Sequence, residues 1–189
     1  VTRLATNLKE DGTITKSAAL QAESKMSGLS AEAKSYHMIC AAHAHIDMNW
    51  MWSWDETVSI TIDTFRTMLD LMKEYPEYKF SQSQASVYAI IEEYAPDMLA
   101  EIKTRVKEGR WEITASHWVE ADKNMPSGES FARHLLYSKR YLSQLFDIKP
   151  EALNIDFEPD TFGHSLNVPE ILAEGGVKYY YHCRGYDGH

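Results

Sequence analysis

The sequence contains few cysteines, no long apolar run and a shortage of basic residues. Only two of its 189 residues are cysteine. Cys40 and Cys183 form no spaced disulfide framework, and both lie in apolar runs where we expect buried free thiols. No stretch reaches the roughly 18 consecutive apolar residues of a membrane span. The 19 basic residues face 28 acidic ones, for a net charge of −9, which argues against a nucleic-acid partner and more weakly against an anionic membrane.

A secretory signal is also missing from the chain, which begins at Val1 without a methionine. Since a chain without its first methionine can lack its original N-terminus, the missing signal decides little. We expect a cytoplasmic location, and the sequence leaves homo-oligomerisation open. The remaining composition is that of a globular protein, since 44% of the residues are hydrophobic and they recur in periodic runs. An acidic protein of this kind suits a neutral substrate such as a sugar.

Two regions differ in their patterning. Residues 1–34 are polar and are predicted to be a lead-in segment with a short helix over 18–26. From residue 35 to residue 189, apolar runs alternate with helical periodicity. The predicted strands span 38–42, 78–80, 111–114, 153–157 and 177–181. The first predicted helix follows a Ser53–Glu56 capping box and ends at residue 72. The next two span 86–108, with a break near Pro96, and 127–146. A short last helix runs from Asn167 to Gly175.

This alternation predicts an α/β fold with a parallel sheet covered by helices, because the strands are too apolar to leave one face in water. An open doubly wound sheet and a barrel both fit the pattern. The alternation is still running at residue 189, where a sheet that stopped would leave an unprotected edge strand. We therefore expect this chain to be part of a larger barrel-like domain.

Residues with metal-binding chemistry follow the predicted strands at their carboxyl ends, where parallel α/β folds place their functional groups. His45 and Asp47 follow the first strand two residues apart, so in extended backbone their side chains share a face. His43 lies on the same face. An imidazole beside a carboxylate suits Zn²⁺, and Asp160 follows the fourth strand at a turn that Gly163 permits. The sequence thus predicts a metal site formed by His45, Asp47 and Asp160.

Two motifs in this order resemble glycoside hydrolase family 38, the retaining α-mannosidases. The pattern His-x-Asp-x-x-Trp occupies residues 45–50, and the pattern Asp-x-Phe-Gly-His occupies residues 160–164. The intervening stretches at 109–112, 118–122 and 126–130 also look like the family, and the resemblance covers about residues 36–181. Two ordered motifs at the ends of strands are far more specific than either motif alone.

The resemblance implies a (β/α) barrel catalytic domain, of which this chain would hold an incomplete (β/α)7 portion. It implies that His45 and Asp47 bind Zn²⁺, and that Asp160 both binds the ion and attacks the anomeric carbon. Trp50 would stack on the mannose ring, and Phe162 would line the same subsite. In this family the zinc ion also holds the 2- and 3-hydroxyls of the sugar. The implied substrate is an α-linked mannose of an oligosaccharide or glycan.

One departure from the family pattern limits this expectation. The family's fourth zinc ligand, a histidine, and its acid/base carboxylate lie further along than residue 189. On this resemblance the chain carries half of the site, and we expect it to be inactive alone. Linkage preference and natural substrate stay open.

Three other functions stay open from the residues alone. An amidohydrolase-type metal enzyme would begin with His43, His45 and Asp47, and would need further histidine ligands after later strands. The available histidines are His117, His164 and His182. A carbohydrate deacetylase on a related barrel could use the same first cluster. A non-enzymatic interpretation makes the chain a carbohydrate-binding fragment.

Overall fold

The structure of the chain, a computed structural model, describes residues 15–184. The chain divides into two compact units, residues 1–40 and residues 41–189. The described part of the first unit contains α1 (Lys16–Met26), a 3-10 turn (Ser27–Leu29) and the short helix α2 (Ser30–Ala33). Thr15 begins α1, and its hydroxyl accepts a hydrogen bond from the backbone N–H of Ala18 at 3.1 Å, as an N-cap residue does.

The second unit alternates strands and helices along its described length. Its strands are β1 (Ala42–His43), β2 (Phe80–Gln82), β3 (Trp111–Ile113), β4 (Ile155–Glu158) and β5 (Tyr179–His182). Its helices are α3 (Trp54–Glu74), α4 (Ala85–Tyr94), α5 (Pro96–Lys107), α6 (Gly128–Phe146) and α7 (Val168–Glu174), with a 3-10 turn at Pro150–Ala152. None of the helices between residues 15 and 184 is long and apolar enough to cross a membrane.

The strands form two parallel sheets. One has the order β1-β2-β3 and the other pairs β4 with β5. The predicted α/β fold with parallel strands is therefore confirmed. Within residues 15–184 the sheets are small, and neither closes into a barrel. The carboxyl ends of β1, β3 and β4 nevertheless converge, because side chains from the loops after these strands contact one another.

Local sequence explains most of the helix boundaries. Pro96 stands in the first turn of α5, so the predicted break separates α4 from α5 where a proline suits a helix start. Ser127 begins α6, and its hydroxyl accepts from the backbone N–H of Ser130 at 3.2 Å. The capping box expected at the start of α3 is not formed, since Ser53 makes no side-chain cap hydrogen bond.

The main core is aromatic at its centre. Trp111 of β3 packs edge-on against Phe65 of α3 at 5.0 Å and against Phe80 of β2 at 4.7 Å between ring centroids. Its indole N–H donates to the hydroxyl of Tyr88 at 3.1 Å, so the buried polar atoms of both rings are satisfied. Burial raises the pKa of Tyr88 well above its ordinary value. These contacts hold α3 and α4 against the first sheet.

Two predictions, one about the first strand and one about the cysteines, are wrong. The first strand was expected over 38–42, but the ladder with β2 begins only at Ala42, and Met38 and Ile39 are each 85% exposed. The residues before Ala42 have no pairing strand among the described residues, so their apolar character does not make them a buried strand. Cys40 and Cys183, expected to be buried, are both exposed free thiols.

Candidate active site

A cleft of about 750 Å³ opens at the carboxyl ends of β1, β3 and β4. The predicted site residues all line it: His45, Asp47, Trp50, Asp160 and Phe162. The cleft therefore collects residues that are more than a hundred positions apart in the chain. Its wall combines carboxylates with aromatic rings.

The three predicted metal ligands meet inside this cleft. The Nε2 atom of His45 lies 3.0 Å from Oδ1 of Asp47 and 3.8 Å from Oδ2 of Asp160. One ligand atom from each residue can be chosen so that all lie within 4.8 Å of one another. Their side chains are 32%, 36% and 33% exposed, respectively, so an ion could reach them from solvent.

Arg184, which follows β5, lies against the nucleophile candidate. Its Nε donates to Oδ1 of Asp160 at 2.6 Å, and its guanidinium carbon lies 4.0 Å from the ring centre of Phe162. One carboxylate oxygen of Asp160 is thereby engaged by a cation, while the other faces His45. Charge-assisted hydrogen bonds of this kind orient a carboxylate firmly.

Glu120, in the loop after β3, contacts two of the predicted ligands. Its Oε2 lies 3.2 Å from Nδ1 of His45, and its Oε1 accepts hydrogen bonds from the backbone N–H of Asp160 and, at 3.4 Å, from the hydroxyl of Thr161. The Glu120 carboxylate has the largest single effect on the pKa of His45. Together with Asp47 it outweighs burial and raises the pKa of that imidazole to about 9.

A glutamine holds this loop in place. The side-chain amide of Gln84 donates to the backbone carbonyl of Ile46 at 2.8 Å, and its oxygen accepts from the backbone N–H of Glu120 at 3.0 Å. Gln84 has a φ of 67°, a conformation that is rare for a residue with a side chain and marks a strained position. The loops after β1, β2 and β3 are thus tied together behind the cleft.

His43 does not join the cluster. Its Nε2 lies 2.9 Å from the hydroxyl of Ser83 on the neighbouring strand end, and its ring packs 4.4 Å from that of Phe157. Burial, with a smaller effect of nearby His45, lowers the pKa of His43 to about 4. His43 is therefore not a member of the group of ligand atoms that His45 forms with Asp47 and Asp160.

The two aromatic residues expected to contact sugar are exposed to the cleft. Trp50 is 67% exposed and Phe162 is 54% exposed. Trp50 meets Trp52 edge-on at 5.9 Å, and the indole N–H of Trp52 donates to the hydroxyl of Thr57 at 2.9 Å. The hydrogen bond to Thr57 thus fixes Trp52, whereas the ring of Trp50 is exposed in the cleft.

A second group with metal-binding residue types lies buried behind the cleft. It comprises His117, Asp156 and Glu158, but the ammonium of Lys123 already contacts both carboxylates. Burial alone would raise the pKa of Asp156, yet His117 and Lys123 prevail and lower it. Burial, with the nearby Asp156 charge, raises the pKa of Glu158. The lysine occupies this donor set, so the group is an internal ion network.

The sequence motifs did not single out Glu120, Gln84 or Arg184 as site residues. Glu120 lies in the stretch 118–122 after the third strand, and Arg184 follows the fifth strand. A polar residue directly after a strand is the signal that could have found both. Nothing in the sequence indicated that Gln84 would adopt a positive φ or bridge two loops.

Comparison with known proteins gives concordant matches. The profile of the glycosyl hydrolases family 38 N-terminal domain matches residues 35–186. Alpha-mannosidase G of Dictyostelium discoideum is 39% identical over 136 residues, which are 72% of this chain and 12% of that protein. Human alpha-mannosidase 2C1 is 33% identical over 146 residues, 77% of this chain and 14% of that protein. The chain thus spans about an eighth of the length of these relatives.

Solved structures share the fold. An alpha-mannosidase from Enterococcus faecalis V583 superposes with a TM-score of 0.67 at 22% identity, over 75% of this chain and 16% of that one. A 4-alpha-glucanotransferase from Thermococcus litoralis superposes with a TM-score of 0.55 at 20% identity, over 75% of this chain and 21% of that one. At these identities the likeness concerns the backbone arrangement.

Proposed function

Because this chain belongs to glycosyl hydrolase family 38, we propose that it supplies the zinc-binding part of a retaining α-mannosidase active site. The observation that carries the proposal is the meeting of His45, Asp47 and Asp160 in one cleft. The relatives bear the name alpha-mannosidase, and we extend that activity to the protein that contains this chain. Its substrate would be an α-linked mannose of an oligosaccharide or glycan.

The donor set suits zinc. Two ligand atoms on a tetrahedral zinc ion, each roughly 2.0–2.1 Å from it, are about 3.3 Å apart. The separations from Nε2 of His45, 3.0 Å to Asp47 and 3.8 Å to Asp160, bracket that value. Carboxylates gathered so closely also repel each other unless a cation offsets their charge. One imidazole and two carboxylates therefore favour a divalent ion here.

We assign the covalent step to Asp160. In a retaining glycosidase one carboxylate attacks the anomeric carbon and forms a glycosyl-enzyme, while a second carboxyl roughly 5–5.5 Å away acts first as acid and then as base. Arg184 holds one oxygen of Asp160, which orients the carboxylate towards the cleft. Bound zinc would hold the 2- and 3-hydroxyls of the sugar, and Trp50 and Phe162 would bind its ring.

The remaining architecture is part of the same proposal. We infer that the two parallel sheets belong to a larger (β/α) barrel, whose other strands would bring the acid/base carboxylate and a further zinc ligand. Residues 1–34 would precede this catalytic domain, which would begin near residue 35. We also propose a cytoplasmic location for the protein that contains this chain.

The test compares Asp160→Ala with Asp47→Asn in the longest native polypeptide that carries this sequence. Asp160→Ala should abolish glycosyl-enzyme formation and lower kcat by several orders of magnitude, because no other group can attack from that face of the sugar. Asp47→Asn should chiefly weaken zinc affinity, on the order of 10–100-fold or more. Activity on an aryl α-mannoside should then return partly at high zinc only in Asp47→Asn.

A slow-turnover fluorosugar identifies the nucleophile directly. Labelling of a residue other than Asp160, or zinc rescue of Asp160→Ala, would contradict the assignment. His43→Ala provides the control for the amidohydrolase alternative. Since His43 contacts Ser83 and Phe157, its removal should leave zinc affinity close to that of the unaltered protein.

A further inference from the structure

Glu120 contacts two of the proposed zinc ligands, His45 and Asp160, which lie in the loops after two different strands. Its side chain is only 9% exposed, which is unusual for a carboxylate that lines an open cleft. One oxygen lies 3.2 Å from Nδ1 of His45, and the other accepts from the backbone N–H of Asp160. Within the described residues, the first oxygen has no partner apart from this imidazole.

The two nitrogens of His45 face different groups. Nε2 points to Asp47 and Asp160, so it is the nitrogen that would bind an ion through its lone pair. Nδ1 must then carry the proton, and it faces the buried oxygen of Glu120. A carboxylate at the second nitrogen of a metal-binding histidine fixes its tautomer and ring orientation and makes the other nitrogen a better ligand.

We propose that Glu120 is a positioning residue that sets two zinc ligands at once. Its Oε2 holds His45 as the Nδ1–H tautomer, and its Oε1 holds the backbone that presents Asp160. This inference rests on the zinc site proposed above, and it adds a residue that acts through the ligands without touching the ion. It also gives the strained Gln84 a role, since that side chain fixes the backbone of Glu120 and the loop of His45 together.

Glutamine cannot replace Glu120 in this role. An amide has one oxygen and one NH₂ group. If the oxygen accepts from the backbone N–H of Asp160, the NH₂ group meets the Nδ1–H of His45, and two donors face each other. If the amide flips, the oxygen serves His45 and Asp160 loses its acceptor. Either arrangement breaks one of the two contacts while keeping the size of the side chain.

Asp122 offers a matched control in the same loop. Its Oδ1 accepts from the backbone N–H of Phe162 at 2.8 Å, so it is also a carboxylate that holds the loop after β4. It lines the same cleft. Asp122→Asn removes one negative charge near the site and keeps an oxygen that can accept from Phe162. This variant thereby separates the effect of removing a charge on zinc affinity from the effect of losing the contact to His45.

The experiment measures zinc affinity by competition with a chromophoric chelator, using the full chain and its variants Glu120→Gln, Glu120→Ala and Asp122→Asn. Both Glu120 variants should bind zinc 10–100-fold more weakly, the range found for outer-shell partners. Asp122→Asn should bind close to the unaltered chain. Nitrogen-15 spectra of labelled histidine should show His45 of the zinc-bound chain protonated at Nδ1, and this resonance should shift or broaden in Glu120→Gln.

Each result separates this inference from the proposed activity. Unaltered zinc affinity in both Glu120 variants, or a His45 that binds zinc through Nδ1, overturns the positioning role and leaves the mannosidase proposal standing. Equal weakening in Asp122→Asn also overturns it, because general charge would then explain the effect. Weakening confined to the Glu120 variants supports it, even where the longest native polypeptide fails to cleave an α-mannoside. Absence of zinc binding by the longest native polypeptide that carries this sequence overturns both.

Discussion

Lys123 is fully buried between two acidic side chains, and its replacement by methionine should strongly destabilise the fold. Its ammonium contacts Asp156 and lies 3.2 Å from Oε1 of Glu158. Lys123 is 0% exposed, Asp156 1% and Glu158 2%. The Nζ atom of Lys123 also lies 4.7 Å from the ring centre of Tyr180. Lys123→Met keeps the apolar stem and removes the ammonium that contacts both carboxylates.

The magnitude follows from what remains around Asp156. Removing one partner of a buried ion pair costs about 3–5 kcal/mol, since the other charge is left uncompensated. Asp156 keeps hydrogen bonds from Ser116 at 2.7 Å and His117 at 2.6 Å, so we expect the lower end, about 3 kcal/mol. With a urea m-value near 2 kcal/mol/M, this loss lowers the unfolding midpoint by about 1.5 M.

Equilibrium urea unfolding measures this change, with a chelator present so that metal binding does not contribute to stability. Lys73→Met is the matched control, because its ammonium also contacts two carboxylates, those of Asp70 and Glu101. Lys73 is 53% exposed, so solvent screens its ion pairs and its replacement should change the unfolding midpoint little. A midpoint shift in Lys123→Met no larger than that in Lys73→Met would refute the reasoning.

Two further predictions concern stability. Gly163→Ala should destabilise the chain by about 1–3 kcal/mol, because Gly163 has a φ of +86° and an added Cβ would lie 2.5 Å from Nδ2 of Asn124; urea unfolding measures it. His134→Gln should reduce the loss of stability between pH 7.5 and pH 5.5. Burial, helped by His117 and Lys123, lowers the pKa of His134. The stability that the neutral imidazole contributes is therefore fully present above its unfolded pKa of about 6.5 and is lost as the pH falls towards the folded pKa.

Controls distinguish these effects from general damage. Gly28→Ala should be nearly neutral, because nothing lies within 4 Å of the added Cβ and the glycine has no positive φ. A Gly163→Ala variant as stable as Gly28→Ala would contradict the steric argument. For His134, unfolding curves at both pH values are compared with the unaltered chain, and an unchanged difference between them would exclude this imidazole as the source.

Periodicity alone predicted most of the helices and the parallel fold, because both depend on short stretches of sequence. The helix expected over 127–146 is Gly128–Phe146, and the one expected over 86–108 with a break near Pro96 is the pair Ala85–Tyr94 and Pro96–Lys107. The apolar runs that end in polar residues also predicted the cleft, since parallel strands present their carboxyl ends at one edge. His45, Asp47 and Asp160 could therefore be selected from the sequence.

The partners of those residues depended on tertiary structure. Alternation along an extended strand placed His43 and His45 on one face, but β1 ends at His43, so the alternation does not extend to His45 and the two rings face different neighbours. Glu120 is 40 residues from Asp160, and no spacing rule links positions that meet only when two loops pack. Lys123 lies in a polar stretch of sequence, yet it is buried, because the carboxyl groups of Asp156 and Glu158 on β4 contact its ammonium in the interior. Sequence thus determined which elements form and which residues stand at their ends, whereas packing between elements decided which side chains of those ends touch.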